Sequence, residues 1–244
     1  MLTTLTRRLL DLVYPRRCAS CDALLPTERD LLCAPCAGSL VPAAGASCPR
    51  CAAVYLDLAG GGRHVCGGCL AKPPPFASAA AAFAYGAALQ DAIARWKGRP
   101  DESLSAALCA LGVVALAQAG ARSSWPDEAI VVPVPAHRKR VRRRGFNPAG
   151  QLARAVTRWS GLRLVSRGLR ATHAAATSRG QQRGAREQRV QGAFRARERL
   201  VHGRVVVLVD DVMTTGATVR AATRALLAAG AREVHVAVLA RAPL

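Results

Sequence analysis

The sequence predicts an α/β domain built on a mostly parallel sheet and preceded by a small cysteine-rich module. Eight of the nine cysteines lie within the first 69 of 244 residues. Beyond residue 80, strand-like runs that are continuously apolar alternate with helical patterns. Such runs are typical of strands buried on both faces of a parallel sheet. The chain is long enough for one such domain and a small appendage.

The N-terminal stretch TLTRRLLDLVYPRR predicts a short amphipathic helix, with leucines near one face and arginines beside them. Two uses remain open for this helix: packing on the cysteine module, or peripheral contact with a membrane surface. The stretch lacks the long apolar core and the small-residue cleavage site of a signal peptide. We therefore expect a cytoplasmic protein.

Four CxxC pairs follow, and they predict two structural zinc sites. Two residues between cysteines let both thiolates reach one tetrahedral metal, and two such pairs complete a closed four-sulfur site. The spacing suits sequential pairing, with interleaved pairing as the alternative. A disulfide framework would need an oxidising compartment, and an iron–sulfur site is the other metal alternative. The predicted ligands are Cys18, Cys21, Cys33, Cys36, Cys48, Cys51, Cys66 and Cys69.

Residues 73–80 contain three consecutive prolines and predict a stiff connector between a zinc-ribbon domain, 1–72, and a second domain, 81–244. A strand and then a helix with Leu89, Ile93 and Trp96 at helical spacing come next. The 19 residues 103–121 carry no charge and would just span a bilayer. Their Ala, Ser, Gln and Gly content favours a buried helix instead, so we expect no transmembrane span.

The remaining elements alternate along the chain. DEAIVVPVP predicts a strand, HRKRVRRRGFN a basic turn, and residues 148–159 a helix. After a long basic segment, VVVLVD predicts a strand that ends at Val209, followed by a helix over 217–229 and a final strand, EVHVAVLA.

Two acids and a threonine-rich turn follow the strand VVVLV, at the edge where parallel sheets bind ligands. Asp210 and Asp211 can accept hydrogen bonds from a vicinal diol such as that of ribose. The turn that opens the next helix offers backbone N–H groups and hydroxyls to a phosphate, and Gly216 lets the anion approach closely. The pattern predicts a ribose 5-phosphate site; the alternative is that the acids only cap a helix. The phosphate-binding residues would be Thr214, Thr215, Gly216, Ala217 and Thr218.

The segment from Val132 to Asn147 is the second candidate for phosphate binding. Its prolines force an irregular turn after the strand, and six cations follow within seven positions. We predict that Pro135, Arg138, Arg144 and Gly145 serve a pyrophosphate. The alternative is a solvated basic loop.

The charge is strongly positive and unevenly distributed. The chain has 35 Lys and Arg against 15 Asp and Glu, a net charge of +20. Residues 137–204 hold 19 of those cations and two of the acids, a net +17. This surplus predicts binding to single-stranded nucleic acid through its backbone, because aromatic residues for base stacking are scarce; an arginine-rich genome is the alternative cause. The candidate residues are Arg138, Lys139, Arg140, Arg142 and Arg143.

VVVLVDDVMTTGAT resembles the phosphoribosyl-pyrophosphate (PRPP) binding signature of type I phosphoribosyltransferases. Together with the four CxxC pairs, the PPPF connector and AIVVPVPAHRKRVRRRGFNPAGQLA, it resembles the ComF (competence protein F) family. The resemblance implies a type I phosphoribosyltransferase fold, Asp210 and Asp211 as the residues that hold the ribose hydroxyls during catalysis, and Mg²⁺ bound with PRPP. It also implies a link to uptake of single-stranded DNA in natural transformation, with other DNA-import proteins as partners.

One segment departs from the family pattern. Relatives carry an arginine–asparagine pair before Gly-Ala-Phe, whereas here Arg189 stands where the asparagine is expected. The segment 171–193 corresponds to the flap that closes over PRPP in phosphoribosyltransferases. The sequence favours a PRPP-binding, phosphoribosyltransferase-like protein of natural competence. An active transferase with an unknown acceptor and a non-catalytic zinc and DNA adaptor are the alternatives.

Overall fold

A parallel five-stranded sheet forms the centre of the protein, in the order β1-β7-β6-β2-β3. The computed structural model describes residues 17–26, 30–45, 47–55, 64–98, 100–172 and 192–243. The predicted parallel α/β architecture is confirmed. The strands of this sheet are β1 (Ser78–Ala84), β2 (Ile130–Pro133), β3 (Arg163–Leu164), β6 (Val205–Met213) and β7 (Glu233–Arg241). An antiparallel pair, β4 (Leu169–Ala171) and β5 (Phe194–Ala196), stands apart.

Helices cover the sheet on both faces. The side chains of β6 show this directly: Val206 and Leu208 belong to one apolar core, whereas Val205, Val207 and Val209 belong to the other. Alternation on a strand buried on both sides gives this division. The helices are α1 (Ala34–Gly38), α2 (Gly67–Ala71), α3 (Ala87–Gly98), α4 (Glu102–Gln118), α5 (Arg138–Arg144), α6 (Pro148–Ser160), α7 (Glu198–Val201) and α8 (Ala217–Ala228), with one turn of 3₁₀ helix, Ala121–Ser124.

The alanine-rich helix α4 packs within the domain, as the sequence predicted. Asp101 caps it by accepting a hydrogen bond from Leu104 N, and seven of its residues are buried. Within the described ranges, none of the helices combines the length and the apolar character that a membrane crossing requires.

Three local expectations differ from the structure. The predicted basic turn contains a helix, α5, which begins after His137 and ends at Gly145 with φ 81°. Strand β6 does not end at Val209 but continues to Met213, because β7 pairs with it as far as Met213 opposite Arg241. Residues 78–80, predicted as the end of the connector, pair with β7 as the start of β1.

The cysteine-rich module is built into both cores. Cys18 packs in the core with Leu89 and Trp96, whereas Cys48 packs in the core with Phe76 and Met213. Between them, residues 41–43 pair antiparallel with the outer edge of β1. This pairing covers an otherwise open sheet edge. The predicted N-terminal helix lies outside the described residues.

Candidate functional site

The eight CxxC cysteines form two four-sulfur clusters. Cys18, Cys21, Cys33 and Cys36 make the first zinc site, and Cys48, Cys51, Cys66 and Cys69 make the second. The CxxC pairs therefore combine sequentially and not in the interleaved arrangement that their spacing also allowed. Within each site all ligand atoms lie within 4.8 Å of one another.

The geometry fits zinc and excludes disulfides among these residues. The sulfurs of Cys21 and Cys33 are 3.6 Å apart, and those of Cys51 and Cys66 are 3.7 Å apart. A tetrahedron with Zn–S bonds of about 2.3 Å has edges of about 3.8 Å. None of these eight cysteines forms a disulfide. Each site uses four sulfurs and leaves no open position, so its role is structural.

The two sites repeat one backbone design. In each, the first knuckle ends in a residue with positive φ, Asp22 (68°) in one and Ala52 (53°) in the other. A five-residue helix then carries the fourth ligand, Cys36 in α1 or Cys69 in α2. Both sites therefore close in the same way, although 11 residues separate the two CxxC pairs in the first site and 14 in the second.

A cavity of about 420 Å³ opens at the carboxyl ends of β2 and β6. This is the edge where open parallel sheets place their ligands, and the volume suits a small organic ligand. Because β2 and β6 are adjacent and parallel, residues that follow one strand face residues that follow the other. From the predicted set, the lining contains Asp210, Asp211, Pro135, Arg144, Thr214, Thr215, Gly216, Ala217 and Thr218.

The two acids at this edge have different environments. Asp210 is 7% exposed, and burial together with the neighbouring carboxylate of Asp211 raises its pKa well above the ordinary value. Burial would also raise the pKa of Asp211, but Lys97 and local hydrogen bonds hold it below the usual range. The Lys97 Nζ lies 2.7 Å from Asp211 Oδ2. The site therefore holds one ion-paired carboxylate beside one that burial disfavours as an anion.

Lys97 is a lining residue that the sequence analysis missed. It sits in the last turn of α3, one residue after Trp96, whose indole is fully buried. Trp96 Nε1 donates to Ser105 Oγ at 2.9 Å and to Gln151 Oε1 at 3.1 Å. These bonds fix the end of α3, and with it the cation that faces Asp211. The one signal in the sequence that could have indicated Lys97 is its position directly after Trp96, the last core residue of α3.

Residues 214–218, which we call the phosphate loop, lead from β6 into α8. Gly216 has φ 77° and is the residue before the helix. A non-glycine residue would be strained in this conformation. Thr215 Oγ1 accepts a hydrogen bond from Ala217 N at 3.4 Å, while Thr214 and Thr218 are exposed. The start of a twelve-residue helix presents N–H groups and the positive end of its dipole to the cavity.

Helix α5 divides its cations between two faces. Arg140 and Arg144, four positions apart, line the cavity, as the helical repeat allows. Four other cations of α5 are solvent-exposed: Arg138, Lys139, Arg142 and Arg143. Arg140, expected on a nucleic-acid surface, is thus at the cavity, whereas Arg138 and Gly145, expected at a pyrophosphate, are not part of its lining.

The aromatic residues near the basic surface are used in packing. Phe146 stacks on Trp96 with ring centroids 6.2 Å apart, and Trp159 meets Trp125 edge to face at 5.9 Å. Phe194 is 8% exposed. Each of these three rings is thus packed against another ring or buried in the protein.

The ends of the expected flap, 171–193, are held together. Thr172 N donates to Ala193 O at 2.8 Å, and Thr172 Oγ1 donates to Gly192 O at 2.7 Å. Strands β4 and β5 extend this pairing. Residues 173–191, including Arg189, lie outside the described residues.

Comparison with known families defines the class of protein. Residues 141–243 match the phosphoribosyl transferase domain, and residues 9–70 match the double zinc ribbon domain. The first match begins within α5 and contains β6 and residues 214–218, and the second contains all eight predicted zinc ligands. The fold is thus that of a phosphoribosyltransferase-type domain with an N-terminal double zinc ribbon.

Comparison with full-length proteins identifies the family: the chain belongs to the ComF family. It is 33% identical to DNA utilization protein YhgH of Escherichia coli K12 over 196 residues, 80% of this chain and 83% of that protein. Competence protein F of Haemophilus influenzae is 28% identical over 229 residues, 93% of this chain and 97% of that protein. A solved structure of the allosteric regulatory enzyme of purine biosynthesis is 28% identical over 48% of this chain and 23% of that chain, with a TM-score of 0.34.

Proposed function

We propose that the chain binds PRPP with Mg²⁺ in the cavity and acts, as a phosphoribosyltransferase-like protein, in natural competence. One observation carries the proposal: the paired acids, the phosphate loop and the cations of two helices surround a single cavity. These groups come from separate segments of the chain. Each matches a different part of one ligand, a ribose that carries a 5-phosphate and a pyrophosphate.

The groups of the cavity divide among the parts of PRPP by charge. Asp210 and Asp211 would accept hydrogen bonds from the ribose hydroxyls, and residues 214–218 would hold the 5-phosphate. Arg140 and Arg144 would meet the pyrophosphate, for which guanidinium groups are well suited. The carboxylates are oxygen ligands of the type that Mg²⁺ prefers. The metal would supply charge neutralisation between the pyrophosphate and the acids.

Calorimetry with the zinc-loaded chain tests this proposal. We expect PRPP to bind when Mg²⁺ is present, and we expect the double variant Asp210→Ala, Asp211→Ala to lose that binding. Ribose 5-phosphate and pyrophosphate, titrated separately, assign the two halves of the site. If the wild-type chain binds none of the three, the PRPP proposal is wrong.

The exposed face of α5 supports a second, separable activity, the binding of single-stranded DNA. Arg142 and Arg143 lie in solvent and away from the cavity lining. Relatives of this chain are named DNA utilization protein and Competence protein F, and this chain's net charge of +20 suits a polyanion. We propose that this face contacts the DNA backbone during import, together with other import proteins.

The two faces of α5 provide a matched pair of variants. Arg142→Gln with Arg143→Gln should weaken binding to single-stranded DNA and reduce its salt dependence by about 1.4 in the log–log slope, about 0.7 for each lost phosphate contact. The same pair should leave PRPP binding unchanged. Arg140→Gln with Arg144→Gln should weaken PRPP binding far more than DNA binding. Equal effects of both pairs on both ligands would contradict the division of the helix.

Transfer of the phosphoribosyl group to an acceptor is the alternative activity. The cations at the cavity could stabilise a leaving pyrophosphate, and release of pyrophosphate from PRPP in the presence of nucleobases or amines would reveal it. PRPP binding without release favours a binding module. A chain that binds DNA but not PRPP would be the zinc and DNA adaptor, which the intact phosphate loop disfavours.

The unit boundaries 1–72, 73–80 and 81–244 remain predictions of the sequence, as do the cytoplasmic location and the membrane contact of the first helix.

Both zinc sites pack in cores shared with the sheet. We therefore expect that neither part retains its stability when the other is removed. Limited proteolysis of the full chain, read by mass spectrometry, tests whether the connector is cleaved before either part.

A further inference from the structure

Arg241 is a buried cation that joins two parts of the molecule. It lies at the end of β7 and is 8% exposed. Its Nε donates to Cys51 O at 3.0 Å, and Cys51 is a ligand of the second zinc site. Its Nη1 donates to Met213 O at 3.1 Å and to Thr214 O, at the start of the phosphate loop. One guanidinium thus holds both a zinc knuckle and the loop.

The backbone around Arg241 strengthens this connection. Ala242 N donates to Met213 O at 3.0 Å, so the chain after β7 is tied to the chain after β6. The side chain of Met213 is 2% exposed and lies below the loop, 3.7 Å from where a Cβ on Gly216 would be. Met213 shares one core with the cysteines of the second site. A displacement of the backbone at Cys51 would therefore be transmitted to the phosphate loop through the packed side chain of Met213.

The positive charge of buried Arg241 needs a compensating negative charge, which the zinc site can provide. No carboxylate of the described residues forms a salt bridge with it. A buried cation without a compensating charge is costly. Four thiolates outweigh one divalent cation, so a loaded zinc site carries net negative charge. The second zinc site beside Cys51 O can supply the counter-charge that a carboxylate would otherwise provide.

We propose that Arg241 is a positioning residue that couples the second zinc site to the phosphate loop. Zinc in the second site then holds the loop in its binding geometry, and a ligand in the loop raises the affinity of that site for zinc, because coupling between two sites is reciprocal in binding free energy. The coupling itself rests on the contacts above. Its consequence for ligand binding rests on the proposed function of the loop.

The first zinc site supplies the matched control. Arg95 Nη1 donates to Cys18 O at 3.2 Å, so this knuckle is also held by an arginine of the α/β domain. Arg95 is exposed, however, and pairs with Asp22 at 2.9 Å. Among the described residues, the hydrogen bonds and ion pair of Arg95 go to Cys18 and Asp22, and not to residues 213–216. Arg95→Lys and Arg241→Lys therefore remove equivalent zinc-knuckle contacts, but only Arg241→Lys disturbs the loop.

Hydrogen exchange of the full, zinc-loaded chain without ligand tests the coupling. Arg241→Lys should speed exchange of the amides of residues 214–216 about tenfold, as expected for one lost charge-assisted hydrogen bond in a local opening. Cys69→Ser, which breaks the second site, should do the same, whereas Arg95→Lys and Cys36→Ser should not. Amides of β6 in the core report whether each variant is folded. If Cys69→Ser unfolds, Arg241→Lys decides the question alone. Unchanged loop exchange in Arg241→Lys, or equal acceleration in all variants, would overturn the proposal.

Equilibrium competition with a chromogenic chelator tests the reciprocal effect. Saturating ribose 5-phosphate should raise the chelator concentration needed to remove one of the two zinc ions from the wild-type chain, and the effect should disappear in Arg241→Lys. Ribose 5-phosphate that binds by calorimetry without changing either zinc affinity refutes the coupling. Absence of ribose 5-phosphate binding counts against the proposed function instead, and the exchange experiment still decides whether Arg241 links zinc to the loop.

Discussion

Replacement of Asp210 by asparagine should stabilise this protein at neutral pH, although it removes a group that we assign to ligand binding. Asp210 is 7% exposed and stands beside a second carboxylate. Its Oδ1 accepts one hydrogen bond, from Asp211 N at 2.9 Å. Asparagine keeps this acceptor, removes the buried charge and offers N–H groups to Asp211. The substitution therefore replaces a repulsion by a hydrogen bond.

The expected gain is about 1–2 kcal/mol, the range for relieving a poorly compensated buried group. For a chain of this size that corresponds to a rise of about 2–8 °C in Tm. The gain depends on pH. Because the pKa of Asp210 is raised in the folded protein, the native state binds this proton more tightly than the unfolded state. Wild-type stability then falls as the pH rises above about 4, the ordinary Asp value, so the advantage of the variant grows over that range.

Asp211→Asn is the matched control, with the opposite expected sign. Asp211 pairs with Lys97 at 2.7 Å and accepts a bond from Val212 N at 2.8 Å. Loss of this charge should destabilise the protein by about 1–3 kcal/mol. Thermal unfolding of both zinc-loaded variants from pH 5 to pH 8 separates the two effects. If Asp210→Asn lowers Tm at pH 8 as much as Asp211→Asn does, the argument from burial is wrong.

Three further predictions concern the same cavity. Gly216→Ala and Gly161→Ala replace glycines with φ 77° and 75°, so each should cost about 1 kcal/mol in chemical denaturation, but only Gly216→Ala should weaken ribose 5-phosphate binding. Lys97→Met removes the cation that lowers the pKa of Asp211, so Asp211 should take up its proton at a higher pH. In calorimetry over a descending pH series, the variant should therefore lose PRPP binding at a higher pH than the wild type. Trp96→Phe removes a donor with two buried or half-buried acceptors and should reduce the free energy of unfolding, measured by chemical denaturation, by about 1–3 kcal/mol.

The contiguous parts of the site were predictable from the sequence. Asp210, Asp211 and residues 214–218 follow one strand and open one helix, so local chain geometry brings them together. The zinc ligands were predictable for the same reason, since a CxxC pair carries its own knuckle. Sequential and interleaved pairing of the knuckles could not be distinguished, because that depends on how distant loops pack.

The helix α5 shows where local reasoning fails. The prolines after the strand predicted an irregular turn for this basic segment, and six neighbouring cations at helical spacing disfavour a helix. In the structure His137 accepts a bond from Lys139 N at the start, and Gly145 ends the helix with positive φ. Arg140 and Arg144 face the cavity, away from the four exposed cations of the helix.

The fold class, the two four-cysteine metal sites and the acid and threonine motif after β6 follow from the amino-acid sequence alone, because each depends on adjacent residues or on a short repeat of residue types. Tertiary structure decided which distant groups complete the cavity and how the modules join. Lys97 meets Asp211 only because α3 ends above β6. Arg241 meets both Cys51 and Thr214 only because β7 runs beside β6 as far as Met213. Contacts of this kind follow from strand register and helix packing, which no local pattern specifies.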